Sequence, residues 1–334
     1  QGFTGTLDWS LLVNSSLSRP TVPITSTEST NTGNSPIPII ATFSEYVNGF
    51  DSSDVEITNG RVSSFSGSGK TYNFSVKPAA SGTVTVKVPE NKAVNKAQYG
   101  NMRVANDSLT FNYTKPIETF YVKKAGNDSY DGSLSKPLLT ISKAVTLAAS
   151  KDTIIVYPGL YEEDVDYKNK NIVLVSRYLA TNDSTYRDST VIQGKVTMES
   201  LDSTAALIGF MIYKNQVYVD GGSPVLKRLH IRERWIGQGL YINNGAKLTI
   251  NDLALKTNGN VNNGNPGAGA RIQNSTVTFN NAIIDSNYTN GGNGGGIDSE
   301  GSHITINNSQ INDNVGRGGG VFSQNDSSYT MTNV

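Results

Sequence analysis

The sequence predicts an all-β protein, in which an antiparallel β-sandwich precedes a right-handed parallel β-helix capped at its N-terminal end by a short α-helix. Apolar and polar residues alternate with period two across residues 36–114, which is typical of half-buried strands. Similar segments recur at intervals of 24 to 30 residues towards the end of the chain, and repeats of about 20–50 residues indicate a stacked architecture. Because these repeats contain only strand and turn patterns, we expect a β-solenoid.

The composition narrows the possible functions. Of the 334 residues, 36% are hydrophobic and 17% are charged, which fits short strands joined by many turns. The net charge is zero, so we expect no nucleic-acid partner. The absence of cysteine excludes disulfides and thiolate metal sites, and no apolar run reaches the roughly 20 residues of a transmembrane segment. Gln1 begins no signal peptide and Val334 stops in mid-repeat, so we expect a fragment of a longer polypeptide.

Two segments precede the predicted sandwich. Residues 1–18 resemble the tail of a laminin-G or concanavalin-type lectin sandwich, and this resemblance implies the end of a preceding domain. Residues 19–35 are rich in Pro, Ser and Thr. We expect an extended linker there, because such residues rarely support a core.

Residues 36–115 carry the alternating pattern, interrupted by turn clusters such as Gly67-Ser68-Gly69. Several short alternating strands in about 80 residues predict a β-sandwich. The segments FSEYVNGFDSSDVEITNGRVSSFSGSGKTYNFSVKP and GTVTVKVPENKAVNKAQYGN resemble bacterial Ig-like domains. This resemblance implies a spacer or an adhesive module.

Residues 116–334 are predicted to form the β-helix. Thr140 is a candidate N-cap, apolar residues then recur at helical spacing as far as Ser150, and a buried strand follows from Thr153 to Tyr157. This order resembles the opening of pectin-lyase-like right-handed β-helices, in which a helix covers the first coil. Such a cover keeps an open edge strand from pairing with other chains. An ordinary β-α-β unit is the alternative.

The last coils repeat a glycine-rich element. We expect its glycines to permit a tight or positive-φ corner, and an asparagine that recurs behind it to form a stacked amide ladder. The repeats resemble those of polymorphic outer-membrane and autotransporter-like surface proteins. The aligned residues are Gly239, Gly269, Gly296 and Gly320, with Asn258, Asn287 and Asn314. The side chains predicted to point into the solenoid are Leu248, Leu255, Val277, Ile284, Ile304 and Ile311.

The most charged stretch runs from Lys227 to Trp235. Strand alternation predicts that its arginines and histidine share one outer face. Cleavage of a uronate polymer needs cations for the carboxylates and a base that removes a proton. The candidate catalytic residues are therefore Lys227, Arg228, His230 and Arg232, and the candidate carbohydrate-binding residues are Trp235, Tyr218 and Arg234. The alternative is a solvated basic face without activity.

Asp128 and Asp131 lie in a turn rich in Gly, Asn and Ser, and they are the candidate calcium ligands. Their spacing matches neither an EF-hand nor a calcium-binding nonapeptide repeat. A purely structural turn is the alternative. Apart from this possible calcium ion, the sequence predicts no cofactor.

Two classes of function remain open. The first is a bacterial protein, secreted or on the cell surface, whose rigid β-helix contacts glycans, cell-surface components or copies of itself. The second is a polysaccharide lyase or glycoside hydrolase, which the pectin-lyase-like resemblance implies. Fold alone does not decide between them. A groove with converging cations, carboxylates and aromatic rings would favour the enzyme, whereas a flat Thr/Asn/Ser face would favour the surface protein.

Overall fold

The computed structural model describes residues 18–177, 185–260, 267–325 and 327–334. The chain divides into two compact units, Gln1–Pro116 and Ile117–Val334. The segment 1–17, on which the prediction of a preceding lectin-like domain depends, lies outside the described residues.

The first unit consists of two small β-sheets whose strand pairs are antiparallel, with one parallel exception. Strands are numbered in chain order. One sheet contains β1 (Ile24–Thr25), β3 (Ile37–Asn48), β5 (Gly60–Pro78) and β7 (Val94–Asn95). The other contains β2 (Asn31–Thr32), β4 (Glu56–Thr58), β6 (Gly82–Lys87) and β8 (Ser108–Tyr113), with β2 and β8 parallel. A 3-10 turn at Ser52–Asp54 leads into β4.

The predicted linker over residues 19–35 is wrong. Val22 and Ile24 are almost completely buried in the core of the first unit, and β1 pairs with β3 through Ile24 and Ala41. β2 likewise extends the opposite sheet. The segment is too polar to form a core by itself, but its apolar side chains join the core that the later strands build.

The second unit is a parallel β-helix. Its strands form four sheets along the solenoid, and each strand pairs in parallel with the strand one coil away. The first sheet contains β9 (Thr119–Val122), β10 (Thr153–Val156), β13 (Val173–Ser176), β16 (Ala206–Ile208), β19 (Val225–Lys227), β22 (Lys247–Asn251), β26 (Thr276–Asn280), β30 (His303–Asn307) and β34 (Ser328–Thr332).

The other three sheets complete each coil. The second contains β11 (Gly159–Tyr161), β14 (Thr190–Ile192), β17 (Met211–Tyr213), β20 (His230–Arg232), β23 (Ala254–Lys256), β27 (Ile283–Asp285) and β31 (Gln310–Asn312). The third contains β12 (Val165–Asp166), β15 (Val196–Glu199), β18 (Val217–Asp220), β21 (Leu240–Asn243), β25 (Ala270–Gln273), β29 (Ile297–Glu300) and β33 (Val321–Gln324). The fourth contains β24 (Gly259–Asn260), β28 (Tyr288–Asn293) and β32 (Val315–Arg317).

Alternate residues of every coil point into a continuous apolar lumen. Five of the six side chains predicted to point inwards are buried: Leu248, Leu255, Val277, Ile284 and Ile304. The sixth, Ile311, stacks on Ile284 of the preceding coil and packs against the core while remaining partly exposed. Burying each such side chain stabilises the fold by roughly 1.5–3 kcal/mol.

The predicted capping helix is present as α1 (Ile141–Leu147), and its buried residues pack on β9, β10 and β12. The Thr140 side chain accepts a hydrogen bond from the Lys143 amide, as an N-cap does. The Glu163 carboxylate accepts two further bonds, from the amides of Ile141 and Ser142, both at 2.9 Å. The helix ends at Leu147, before the predicted Ser150, because Ala148 adopts an extended conformation. A second short helix, α2 (Thr185–Ser189), precedes β14.

Candidate functional site

The basic stretch does not form a single outer face, so this part of the sequence-based prediction is wrong. Arg228 lies at the corner between β19 and β20, with φ of 54°. Of the residues on β20, His230 and Arg232 point outwards and Ile231 is buried in the lumen. Arg234 follows the strand, and Lys227 belongs to a different sheet. β20 contains only His230–Arg232, so its alternation does not extend to Arg228 or Arg234.

Each arginine of this stretch contacts a protein group. Arg232 forms a close ion pair with the neighbouring Glu233, whose pKa is lowered by that hydrogen bond. Arg228 lies 3.7 Å from Asp252. Arg234 donates to Asn215 Oδ1 at 3.1 Å, and burial lowers the pKa of its guanidinium. These guanidinium groups therefore do not converge as a clamp for substrate carboxylates.

His230 is largely enclosed beside α2. Its Nδ1 lies 3.5 Å from Asp188 Oδ1, and Arg187 binds the same carboxylate at 2.7 Å. Burial lowers the pKa of His230, and the Asp188 charge opposes that effect. A shallow groove of about 360 Å³ on this outer face has a mainly apolar lining, contributed by Leu160, Val191, Gln193, Met211, Tyr213 and Arg232.

The candidate sugar-stacking residues lie on separate surfaces. Trp235 is 57% exposed on the loop after β20. Tyr218 points outwards from the third sheet, where its ring packs against Tyr241 at 5.5 Å and beneath the Lys195 ammonium at 4.1 Å. Tyr241 lies beside Tyr218 in the register of β18 and β21. The sequence alone does not single it out, because it belongs to no repeat or motif.

The two candidate calcium ligands already accept hydrogen bonds from the protein. Asp128 accepts hydrogen bonds from the Thr140 hydroxyl at 2.8 Å and from the amides of Leu139 and Thr140 at 2.9 and 3.0 Å. Burial raises its pKa, but these bonds, first that of the Thr140 hydroxyl, lower it overall. Asp131 receives the Ser133 amide at 2.9 Å, which lowers its pKa as well. Among the described residues, no group of three or more His, Cys, Asp or Glu side chains has the geometry of a metal site. Calcium binding stays a prediction, and the observed geometry is that of a structural turn.

The three repeated asparagines form an amide ladder in which Asn258 and Asn287 are buried and Asn314 is partly exposed. Asn258 Nδ2 donates to Asn287 Oδ1 at 3.0 Å, and Asn287 Nδ2 donates to Asn314 Oδ1 at 2.8 Å. Each Nδ2 also donates to a carbonyl of the preceding coil, for example from Asn287 to Leu255 at 3.0 Å. The ladder therefore ties successive coils together inside the solenoid wall.

The aligned glycines are needed for their small size where the coils approach closely, and none of them has a positive φ. The prediction that they form positive-φ corners is therefore wrong. The structure assigns positive φ to other glycines, and Gly239, Gly269, Gly296 and Gly320 are not among them. A Cβ on Gly269 would lie 2.5 Å from the Gly296 oxygen and 3.1 Å from Asn287 Nδ2. The corners instead place other residues in the left-handed region, such as Asn274, Asn281 and Ser286.

The outer surface of the last coils is a polar array, here called the threonine face. It consists of the outward residues of β22, β26, β30 and β34, which lie in register. Its rows are Lys247, Thr276, His303 and Ser328; Thr249, Thr278, Thr305 and Thr330; and Asn251, Asn280, Asn307 and Thr332. None of these side chains is acidic, and the central row is threonine throughout.

Parts of the sequence match known families. Residues 16–113 match the model described as a bacterial Ig-like domain, and residues 124–175 match a protein family of unknown function, DUF1565. No curated protein matches the sequence. Within the described residues, no helix is long and apolar enough to span a bilayer.

Solved structures of carbohydrate-active enzymes resemble the chain at low identity. Pectate lyase Pel9A is 18% identical, with a TM-score of 0.43, over 64% of this chain and 61% of the lyase, so the chain spans less than two thirds of that relative. A mutant pectin methylesterase in complex with a hexasaccharide is 12% identical, with a TM-score of 0.37, over 65% of this chain and 90% of the enzyme. The pectin methylesterase from Aspergillus niger is 11% identical, with a TM-score of 0.30, over 66% of this chain and 86% of the enzyme. The chain therefore combines a segment that matches the model of a bacterial Ig-like domain with a second unit whose own strand pairing is that of a parallel β-helix.

Proposed function

We propose that this is a secreted or cell-surface modular protein whose β-helix contacts glycans without cleaving them, with the Ig-like domain as a spacer. The observation that supports this most directly is the threonine face. Its rows of hydroxyls and amides provide donors and acceptors for sugar hydroxyls over several coils. The face includes no carboxylate that would serve as a catalytic acid.

The enzymatic alternative has less support from the described residues. A uronate lyase needs an accessible base beside cations that are free to bind carboxylates. Arg232 is engaged by Glu233 and Arg228 by Asp252. The exposed Trp235 lies beyond the end of β20. The arginines of the basic stretch are therefore engaged by protein groups, and this stretch offers less support for an active site.

The test compares binding with turnover. We would incubate the chain with pectate, alginate and chondroitin, with and without calcium, and follow the ultraviolet absorbance of the unsaturated ends that β-elimination produces. Retardation in gels that contain these acidic polysaccharides, or neutral ones such as xylan and galactomannan, would report binding. We expect retardation in at least one polysaccharide gel without a rise in absorbance.

Two outcomes would contradict the proposal. A steady absorbance rise that disappears in Arg232→Ala would establish a lyase. Neither binding nor turnover on any polysaccharide, together with concentration-dependent association in sedimentation, would favour a self-associating structural role.

A further inference from the structure

The threonine face is uncharged over most of its area. Of its twelve outward side chains, only those of Lys247 and His303 can carry a charge. Both lie in the first row, where the strands begin. A polyanion would find few cations here, and a polycation would find no carboxylate. The chemistry of this face matches a neutral ligand rich in hydroxyl groups.

The face is also rigid. Asn280 Nδ2 donates to Asn251 Oδ1 and Asn307 Nδ2 donates to Asn280 Oδ1, both at 3.0 Å, which fixes the amide row. Just before the first row, the Ser275 amide donates to Ser302 Oγ at 3.2 Å and the Ser302 amide donates to Ser327 Oγ at 3.1 Å. Threonine is stiff about χ1 because it is β-branched. A preorganised surface loses little conformational entropy when it binds.

The central row keeps its hydrogen-bonding capacity for a ligand. Within the described parts of the chain, the hydroxyls of Thr249, Thr278 and Thr305 make no hydrogen bond to another protein group. They follow one another at the spacing of adjacent strands, about 4.8 Å. A ligand that satisfies all of them therefore has to extend along the solenoid axis.

A groove beside this row follows the same direction. It has a volume of about 310 Å³, and its lining comes from successive coils. The residues that contribute polar side chains include Lys247, Asn274, Thr276, Ser302, His303 and Ser328. An extended chain fits such a groove better than a compact molecule does.

We propose that the threonine face binds an uncharged polysaccharide chain that lies along the solenoid axis over residues 247–332. This inference rests on the proposed glycan-contacting function and names its ligand class. The Thr278 and Thr305 hydroxyls bind the sugar hydroxyls at the centre of the face. The groove between Lys247 and Ser328 holds the edge of the same chain.

The experiment is affinity electrophoresis of the full chain in gels with neutral polysaccharides (xylan, galactomannan, mixed-linkage β-glucan) and acidic ones (pectate, alginate). The test variant is the double change Thr278→Val and Thr305→Val, which keeps the β-branched shape and removes two hydroxyls. The matched control is Thr197→Val, an outward threonine of the third sheet. Thermal melting of each variant would verify folding.

We expect a neutral gel to retard the parent chain equally at low and high salt, because no charge pair is involved. The double variant should bind about tenfold more weakly or worse, since two hydrogen bonds are lost, and Thr197→Val should bind as the parent does. Neutral binding that the double variant retains would overturn the assignment to this face. Retardation by acidic gels alone would overturn the ligand class while leaving the glycan-contacting function intact, and no retardation in any gel would overturn both.

Discussion

Asn258 and Asn287 lie one coil apart, and the side-chain amide of the first donates to the side-chain oxygen of the second at 3.0 Å, with both residues fully buried. The Asn258 backbone amide donates to the same Oδ1 at 3.1 Å. A buried polar group costs free energy unless it is hydrogen-bonded, so every rung of this ladder depends on the next coil being in place. The ladder makes the stacking of the last coils cooperative.

The first prediction concerns that ladder. Asn287→Ala removes the bond to the Leu255 carbonyl and the bond to Asn314, and it leaves the Asn258 amide without its acceptor. We expect the free energy of unfolding to fall by about 2–4 kcal/mol, measured by urea denaturation. Asn312→Ala, at an exposed outward position of β31, is the control and should change it by less than about 0.5 kcal/mol. Equal effects of the two changes would show that the ladder does not stabilise the coils.

The second prediction concerns the glycine column. Gly269→Ala places a methyl group against the Gly296 carbonyl and the Asn287 amide, and relieving that overlap should cost about 1–3 kcal/mol. Gly291→Asn is the control, because a Cβ there meets nothing within 4 Å and Asn tolerates the φ of 71°. Melting temperatures of the two variants would compare them. A Gly269→Ala protein as stable as the parent would contradict this prediction, because it would show that the neighbouring coils can move apart at little cost in free energy.

The third prediction concerns the lumen. Ile284 is completely buried, whereas its neighbour Ile283 points outwards and is 36% exposed. Ile284→Asp leaves a charge in a narrow apolar space and should destabilise the last coils by at least about 4 kcal/mol. Ile283→Asp, the same change one residue earlier, should have little effect. Limited proteolysis would detect the difference, and similar cleavage of both variants would contradict the inward assignment.

The fourth prediction concerns pH. Asp298 is completely buried, its two carboxyl oxygens accept no hydrogen bond from the described part of the chain, and Arg271 Nη1 lies 3.8 Å away. Burial raises its pKa above 3.8, although the charge of Arg271 opposes the shift. A raised pKa favours the folded state at low pH, and this contribution is lost as the pH rises through the folded-state pKa.

Asp298→Asn should therefore be more stable than the parent at neutral pH, and its advantage should shrink as the pH falls through that range. Glu300→Gln is the opposite case, because hydrogen bonds from Gln273 and Asn325 lower the Glu300 pKa. It should destabilise the protein at neutral pH, with an effect that fades as the pH falls towards 4.5 and below. Chemical denaturation across the acidic range would measure both, and parallel pH profiles for the two variants would refute this assignment.

Some features were readable from the sequence because they depend on local spacing. Alternation with period two predicted the strands of the first unit, segments recurring every 24 to 30 residues predicted the coils of the second, and a helical apolar spacing after Thr140 predicted α1. The recurrence of Asn258, Asn287 and Asn314 predicted a ladder, because in-register stacking of equal coils places equal side chains together. These patterns depend on neighbours along the chain or on strict repetition, and both are visible without coordinates.

Other features required the tertiary structure because distant segments create them. Val22 and Ile24 are core residues only because β3 offers a strand to pair with, so the composition of residues 19–35 was misleading. The arginines after Lys227 do not share one face, because a left-handed corner at Arg228 interrupts the strand alternation. The burial of Asp298 and the alignment of Thr249, Thr278, Thr305 and Thr330 into an open row are likewise set by the register between coils. The sequence by itself determined that the chain would coil and which side chains would point inwards. Only the stacked structure decided which outward side chains would be paired, buried or free to bind, because those properties arise between coils and not along the chain.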